Sequence, residues 1–305
     1  MSDRNISGIL CIDKPEGYTS HDAVNKIRRL YGTRKVGHTG TLDPMATGVL
    51  VVLIGKATKL SEILASDRKR YIAEITLGIT TDTQDITGNV IDQNGSEISK
   101  DVFMRIAELF KGKTTQIPPM VSAKKVNGKK LYDLARNGIT VERKAEEIEI
   151  FSLNVIDFDE KKRKATLDVE CSKGTYIRTL CHDIGIKAGT GACMSSLRRI
   201  STGAYSINNC SRIEDLEQMT QEERDSLLIP VEESLSAFAS VVLPDFYARL
   251  CSNGCEIYQK KINDSHNLGD LLRMYDSKGT LLALGRVREF ENGTAIKPVI
   301  KLDNQ

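Results

Sequence analysis

Hydrophobic and polar positions change rhythm several times along this 305-residue chain. Gly8 to Asp13 is a short apolar run that stops at Lys14-Pro15, which predicts a buried strand ended by a turn. Behind Ser20, a candidate N-cap, Val24, Ile27 and Leu30 recur at helical spacing and Gly32 supplies a stop, so a helix is predicted over 21–30. The longest apolar run, Val49 to Ile54, predicts a buried strand, with a short helix around Thr58 to Ala65 after it. From Arg70 to Leu77 the pattern alternates, placing Tyr71, Ala73, Ile75 and Leu77 on one side of a strand. Gln93-Asn94-Gly95 reads as a hairpin-type turn. Ser99 is placed to cap a helix reaching about Phe110, with Val102, Ile106, Leu109 and Phe110 inward. A shorter helix over 131–137 is closed by Gly138.

The next stretches, Ile148 to Phe158 and Ala165 to Cys171, predict an antiparallel pair across the charged turn D-E-K-K-R-K. The loop S-K-G-T-Y opens a helix near Ile177, and strand-like segments follow around Leu197 and Ala204. From Ala237 onward, short β-like pieces (Val241 to Leu243, Leu271 to Tyr275, Leu281 to Val287, Val299 to Leu302) are separated by Asn-Gly and Lys-Gly turns, predicting a small all-β appendage. The expected class is α+β, a mixed, mostly antiparallel central sheet flanked by helices. Residues 1–235 are expected to form a larger α+β domain and residues 236–305 a small β-rich one.

Composition narrows the possibilities. An apolar share of 40% and a charged share of 28% exclude a disordered chain. No apolar run is long enough to cross a bilayer, and the start, M-S-D-R-N-I-S-G, lacks the basic and apolar regions of a signal segment, so a cytoplasmic protein is expected. Of seven cysteines only Cys251 and Cys255 lie close, as C-x₃-C without a second pair, which argues for reduced thiols rather than zinc.

Net charge is +2, but it is segregated. Lys26 to Lys59 holds seven basic residues against Asp43 alone, and Lys111 to Gly138 holds seven against Asp133 alone. The acids gather elsewhere, as in Ile213 to Asp225. A positive face for a polyanion is the reading this supports, with basic solvated helices as the plain alternative.

The chemistry centres on G-H-T-G-T-L-D-P-M-A-T-G, residues 37–48. A phosphate loop is excluded, because Gly55-Lys56 is followed by Ala57 and no glycine stands five residues before Gly55. A metal site would want more carboxylates or histidines than Asp43 and His38, and sugar hydrolysis would want two acids. What remains is a lone carboxylate, ionised at neutral pH, serving as nucleophile or electrostatic group, or else an ordinary Asp-Pro turn. Tyr71 in D-R-K-R-Y and Tyr176 with Arg178 in Y-I-R add aromatic rings beside cations, as an unstacked base with its phosphates requires.

Together these stretches resemble the TruB-type tRNA pseudouridine synthases, bacterial enzymes that isomerise the uridine at position 55 in the T-arm of tRNA. The resemblance runs through G-I-L-C-I-D-K-P-E-G-Y-T-S (8–20), K-V-G-H-T-G-T-L-D-P-M-A-T-G-V-L (35–50), K-R-Y (69–71), L-G-I-T-T-D-T-Q-D (77–85), Q-I-P-P-M-V-S-A-K-K (116–125), G-K-K-L-Y-D-L-A-R-N-G (128–138), S-K-G-T-Y-I-R-T-L (172–180) and L-R-R (197–199). These occur in the family's order over most of the first 200 residues; past about residue 240 the likeness rests on size and β character, where the family often carries a PUA-type RNA-binding module.

The resemblance implies a pseudouridine synthase fold and an isomerisation that needs no cofactor and no metal. Asp43 becomes the catalytic group, acting at the ribose C1′ or the uracil C6; both points of attack stay open. His38 is implied to fill the space the flipped base leaves. Tyr71 stacks on that base and is a candidate for proton transfer. Arg178 pairs with the carboxylate, and Asp85 is a candidate second partner of that guanidinium. Tyr176 and Leu197 line the base pocket, with a plain core role the alternative for Leu197. Lys14 touches RNA or supports the wall of the site, and the Lys111 to Arg136 stretch grips T-arm phosphates. The expected partner is the tRNA T-arm, bound by a monomer without membrane or guide RNA. Two other readings compete: an RNA-binding or tRNA-folding protein without catalysis on the same scaffold, and a pseudouridine synthase for a different RNA.

Overall fold

The computed structural model describes residues 4–122, 124–126 and 128–303. Its main body is built on a ten-stranded sheet among these residues. Eight strands follow one another in the order Ser211–Arg212, Gly8–Lys14, Thr47–Ile54, Ala192–Thr202, Arg68–Leu77, Lys164–Ser172, Glu146–Asp159 and Gly112–Gln116. Val36–His38 pairs with Thr47–Ile54, and Tyr205–Ser206 with Ala192–Thr202. Pairing is antiparallel except at two short parallel contacts, Ile12 and Asp13 with Ser211 and Arg212, and Arg198 and Arg199 with Thr47 and Gly48. The α+β class and the mostly antiparallel sheet are therefore as the residue pattern predicts.

The second parallel contact joins two halves of the sheet and lies at the start of the longest apolar strand. Thr47–Ile54 is buried on both faces. Leu50, Val52 and Ile54 meet Ala23, Val24 and Ile27 of the helix Ser20–Tyr31, while Val49, Val51 and Leu53 pack with Ile9 and Cys11 on the other side. Each such side chain contributes about 1.5–3 kcal/mol of burial. On the far half, Tyr71, Ala73, Ile75 and Leu77 alternate inward as expected, under the helices Lys100–Glu108 and Ile177–Lys187.

Local details differ from the predictions in instructive ways. The first helix is capped by Thr19, through a capping box with Asp22, and not by Ser20. Ser20 is instead buried and bonded to Leu42, so a contact 22 residues away takes its hydroxyl. The helix after Ser99 buries Phe103 and Ala107; Val102 and Leu109, predicted inward, are exposed. Gln93-Asn94-Gly95 is not the hairpin turn. That hairpin, Ile79–Thr81 with Val90–Gln93, turns over 82–89, where the Asp82 carboxylate accepts from the backbone and side-chain amides of Asn89.

The C-terminal region forms a five-stranded sheet in the order Ala239–Val242, Leu271–Tyr275, Leu281–Phe290, Gly293–Lys301 and Ile257–Tyr258. It is not all-β: helices Asp245–Ser252 and Gln259–Ile262 pack on it, the former through Ala248 and Cys251. Leu284 and Leu302 join Leu60 and Leu235 in one cluster, and Lys56 and Lys59 donate to the carbonyls of Leu302 and Lys301 at 2.9 and 2.7 Å. No helix among the described residues is long and apolar enough to cross a membrane.

At the parallel junction Gly48 has φ +102°, and a Cβ there would stand 2.2 Å from the Arg199 carbonyl oxygen. Gly48→Ala is therefore expected to lower unfolding free energy by about 2–4 kcal/mol, read as a shifted denaturant midpoint. Gly17→Ala, where φ is +81° but nothing lies within 4 Å, should cost less.

Candidate active site

The loop 37–48 is fixed mostly through its backbone. Leu42 donates to the Ser20 hydroxyl at 2.8 Å and accepts from it at 3.1 Å, pinning the loop to the first helix. The buried Arg199 guanidinium donates to three carbonyls on both sides of Asp43: Gly40 at 3.0 Å, Thr41 at 3.4 Å and Val49 at 2.7 Å. The Pro44 carbonyl accepts from the Gly17 amide at 2.9 Å and from Lys14 at 3.3 Å. The Asp43 carbonyl accepts from Ala46 at 3.0 Å and closes the Asp-Pro turn. The turn uses the backbone of Asp43 and leaves its carboxylate for other work.

That carboxylate accepts from Arg178 Nη2 at 3.0 Å. Arg178, in the first turn of the helix Ile177–Lys187, is buried, and its Nη1 faces Asp85 Oδ2 at 3.5 Å. Asp85 is buried too. Its Oδ1 accepts from Thr83 Oγ1 at 2.9 Å, the Thr87 amide at 3.0 Å and Thr87 Oγ1 at 2.5 Å, so that Oδ2 is left to the arginine. Neighbouring Gln84 holds a left-handed backbone, φ 67°, and its side chain accepts from Thr179 at 2.7 Å, tying the acidic loop to the helix that carries Arg178. One cation thus serves two carboxylates. Burial pushes the Asp43 carboxyl above its usual range; Arg178 and Lys14 oppose the shift and Asp85 adds to it.

A cavity of ≈ 230 Å³ opens beside this pair. Asp43, Tyr71, Tyr176, Arg178 and Leu197 all line it, as does Lys69. Tyr71 is buried opposite Arg199 across the sheet, and burial raises its hydroxyl pKa. Tyr176 is held at the helix start by the buried Gln116 side chain, which donates to its carbonyl at 3.1 Å and accepts from its amide at 2.8 Å.

Three candidates stand off the cavity. Asp85 lies behind Arg178. Lys14 has no exposed surface with which to touch RNA; its ammonium donates to the carbonyls of Tyr18 at 2.6 Å, Pro15 at 2.8 Å and Pro44 at 3.3 Å, so in this arrangement it supports the wall of the site rather than a substrate. Burial lowers its pKa to about 8, against the pull of Asp43. His38 ends the short strand Val36–His38, with Nδ1 buried and without a hydrogen-bond partner among the described residues. Burial, then Arg199 and His21, lower its pKa and favour the neutral imidazole.

Sequence reasoning missed Arg199, Gln116, Ser20 and Lys69. Arg199 and Lys69 stood inside quoted motifs, L-R-R and K-R-Y, but neither had a role assigned. Within the basic stretch, Lys111 pairs with Glu108 and Lys124 with Glu146. The side chains of Lys125, Lys129, Lys130 and Arg136 lie outside the described residues.

Comparison with solved structures gives the class. The structure described as "Crystal Structure of a Cbf5-Nop10-Gar1 Complex" matches with a TM-score of 0.71 at 25% identity, over 97% of this chain and 84% of that one. A second, "Structure of H/ACA RNP bound to a substrate RNA containing 2'-deoxyuridine", matches at 0.69 and 22% identity, over 97% and 85%. The family model "TruB family pseudouridylate synthase (N terminal domain)" matches residues 28–177, and "tRNA pseudouridylate synthase B C-terminal domain" matches residues 178–236. The protein is a pseudouridine synthase by fold and family, an isomerase.

Within that class the chain belongs to the TruB family. The protein named tRNA pseudouridine synthase B of Clostridium tetani is 40% identical over 271 residues, covering 88% of this chain and 92% of its own length. The one of Alkaliphilus oremlandii is 40% identical over 299 residues, covering 97% and 98%. That of Syntrophotalea carbinolica is 44% identical over 247 residues, covering 80% of each.

The charge arrangement fixes the sign of a pH test. On the expectation that Asp43 works as a carboxylate, activity should rise as pH climbs through its raised pKa. Removing the cation in Arg178→Gln raises that pKa further. The acid limb of a kcat/KM profile should move to higher pH in the variant, and an unmoved or lowered limb would contradict the pairing.

Proposed function

We propose that this protein isomerises uridine to pseudouridine at position 55 in the T-loop of tRNA. The observation that carries the reading is a single carboxylate, Asp43, gripped by a buried arginine at the mouth of a cavity lined by two tyrosines. The relatives named tRNA pseudouridine synthase B support tRNA as the substrate over another RNA. Asp43, Tyr71 and Arg178 together favour catalysis over binding alone.

The reaction breaks the bond between uracil N1 and ribose C1′, turns the base, and forms a bond from C5 to C1′. The C5 proton leaves to solvent and N1 gains one, so no electrons are exchanged. Asp43 attacks or stabilises at C1′ or C6. Arg178 orients the carboxylate and keeps it charged against burial. Extracting the stacked uridine costs a few kcal/mol. Tyr71 stacks on the extruded base, Tyr176 and Leu197 wall it in, and His38, neutral and half-buried, fills the vacated place in the RNA.

The loop glycines let RNA backbone come close while Pro44 stiffens the nucleophile. Lysines of the Lys111 to Arg136 stretch hold T-arm phosphates, and residues 236–305 serve as a PUA-type RNA-binding module beside the catalytic domain, residues 1–235. The protein works in the cytoplasm as a monomer, without guide RNA.

A tRNA transcript carrying tritium at uracil C5 tests this directly. Wild-type protein should release tritium from one T-loop uridine. Asp43→Asn should release it at least about a thousandfold more slowly while still binding the transcript. Equal release by both proteins would remove Asp43 from the chemistry; binding without release by the wild type would leave an RNA-binding protein, or one whose substrate is a different RNA.

A further inference from the structure

Lys69 lies in the strand Arg68–Leu77, two residues before Tyr71, and its side chain lines the Asp43 cavity. No hydrogen-bond or ion-pair partner meets its ammonium among the described residues. The charges that act on it include two cations, Arg199 and Lys173, and the acid Asp67 already pairs with Lys173 at 2.6 Å. Burial and these like charges lower its pKa. A half-buried lysine with no anion of its own, beside a second buried cation, is costly to the fold unless something negative arrives.

The place where an anion would sit is defined by Gly40. A Cβ built there would stand 3.7 Å from Lys69 Nζ and 3.7 Å from Arg199 Nη1, so both cation tips converge on the same bare stretch of the catalytic loop. The backbone of Gly40 is not in the left-handed region, so its conformation does not require glycine. What the missing side chain leaves is room between the two cations. Each Arg199 nitrogen already donates to a carbonyl, of Gly40, Thr41 or Val49, whereas none of the three Lys69 ammonium hydrogens has a partner among the described residues.

We propose that Lys69 and the bare face of Gly40 form a phosphodiester subsite, holding the RNA backbone phosphate next to the extruded uridine. This rests on the reading of the protein as a synthase acting on a tRNA uridine. A flipped nucleotide carries its two flanking phosphates toward the pocket, and a cation facing Gly40, three residues before Asp43 in the loop, would fix the ribose against Asp43. Lys69 is then a binding and positioning residue, with no covalent step of its own.

The test uses full-length protein and a tRNA ligated from synthetic RNA, with an uncharged methylphosphonate replacing one phosphate on either side of the target uridine. With wild type, one of the two replacements should lower kcat/KM by about ten- to a hundredfold. Lys69→Gln should lose a similar factor on unmodified tRNA and suffer no further loss from that replacement. Its plot of log affinity against log salt should be shallower by about 0.7. Lys69→Arg should recover part of the loss. Gly40→Ala, at matching thermal stability, should also blunt the methylphosphonate effect. The subsite is overturned if wild type is indifferent to both replacements, or if Lys69→Gln remains as sensitive to them as wild type. No pseudouridine from wild type on the unmodified tRNA would overturn the substrate reading, and the subsite with it.

Discussion

The site depends on one buried cation, Arg199, that makes no hydrogen bond to the Asp43 carboxylate among the described residues. Arg199 stands where the strands Thr47–Ile54 and Ala192–Thr202 meet in parallel for two residues, and its guanidinium bonds carbonyls that precede and follow Asp43. A twelve-residue loop rich in glycine has a large conformational entropy to lose. Holding it at Gly40, Thr41 and Val49 restricts both ends of the segment that carries Asp43. The closeness of the backbones at Gly48 is what lets the arginine reach, since no side chain fits between that strand and the Arg199 carbonyl. Sheet register, loop shape and the position of Asp43 are therefore one constraint.

A second economy concerns charge. Two buried or half-buried carboxylates share Arg178, which would leave a net negative centre in a poorly solvated place. The protein divides the load: Asp85 is satisfied on one oxygen by Thr83 and Thr87, while Asp43 has only the arginine among the described residues and stays above its usual pKa range. The more satisfied acid anchors the arginine, and the less satisfied one faces the cavity. Lys14, wholly buried under the same loop, contributes positive potential while its hydrogen bonds go to carbonyls.

Much of this was legible in the residues. Period-two alternation over Tyr71 to Leu77 and the unbroken run from Val49 specified the two central strands, because burial on one face or both writes itself directly into the pattern. The roles suggested for Asp43, Arg178 and Asp85 came with the resemblance, and the structure brings the three together. Arg199 was not legible as a clamp: an arginine in a strand reads as solvated, and its carbonyl partners lie some 150 residues away. Thr19 and Ser20 are adjacent hydroxyls with equal claim to a cap, and only the distant Leu42 decides between them. The inward face of the helix after Ser99 was half read: Ile106 and Phe110 pack against the core, but Val102 and Leu109 were chosen where Phe103 and Ala107 are buried, because each residue turns the helix by about 100° and a shift of one position selects different side chains. The C-terminal helices, of eight and four residues, are too short for a periodic signal.

The C-terminal sheet bears on how RNA could be recognised. It is held to the main body by two lysines on the carbonyls of Lys301 and Leu302, at and just past the end of the strand Gly293–Lys301, and by the cluster of Leu60, Leu235, Leu284 and Leu302. Swinging the module away would expose several leucines at about 1.5–3 kcal/mol each, as well as release two charge-assisted hydrogen bonds. A hinge of that cost would be closed nearly all the time. A polyanion spanning both sheets would therefore meet a surface whose spacing is already set, and the adaptation would fall to the RNA. That agrees with the site itself, where backbone clamps and buried ion pairs leave the protein little to rearrange; under the proposed function, the largest movement falls to the one base that must leave its stack.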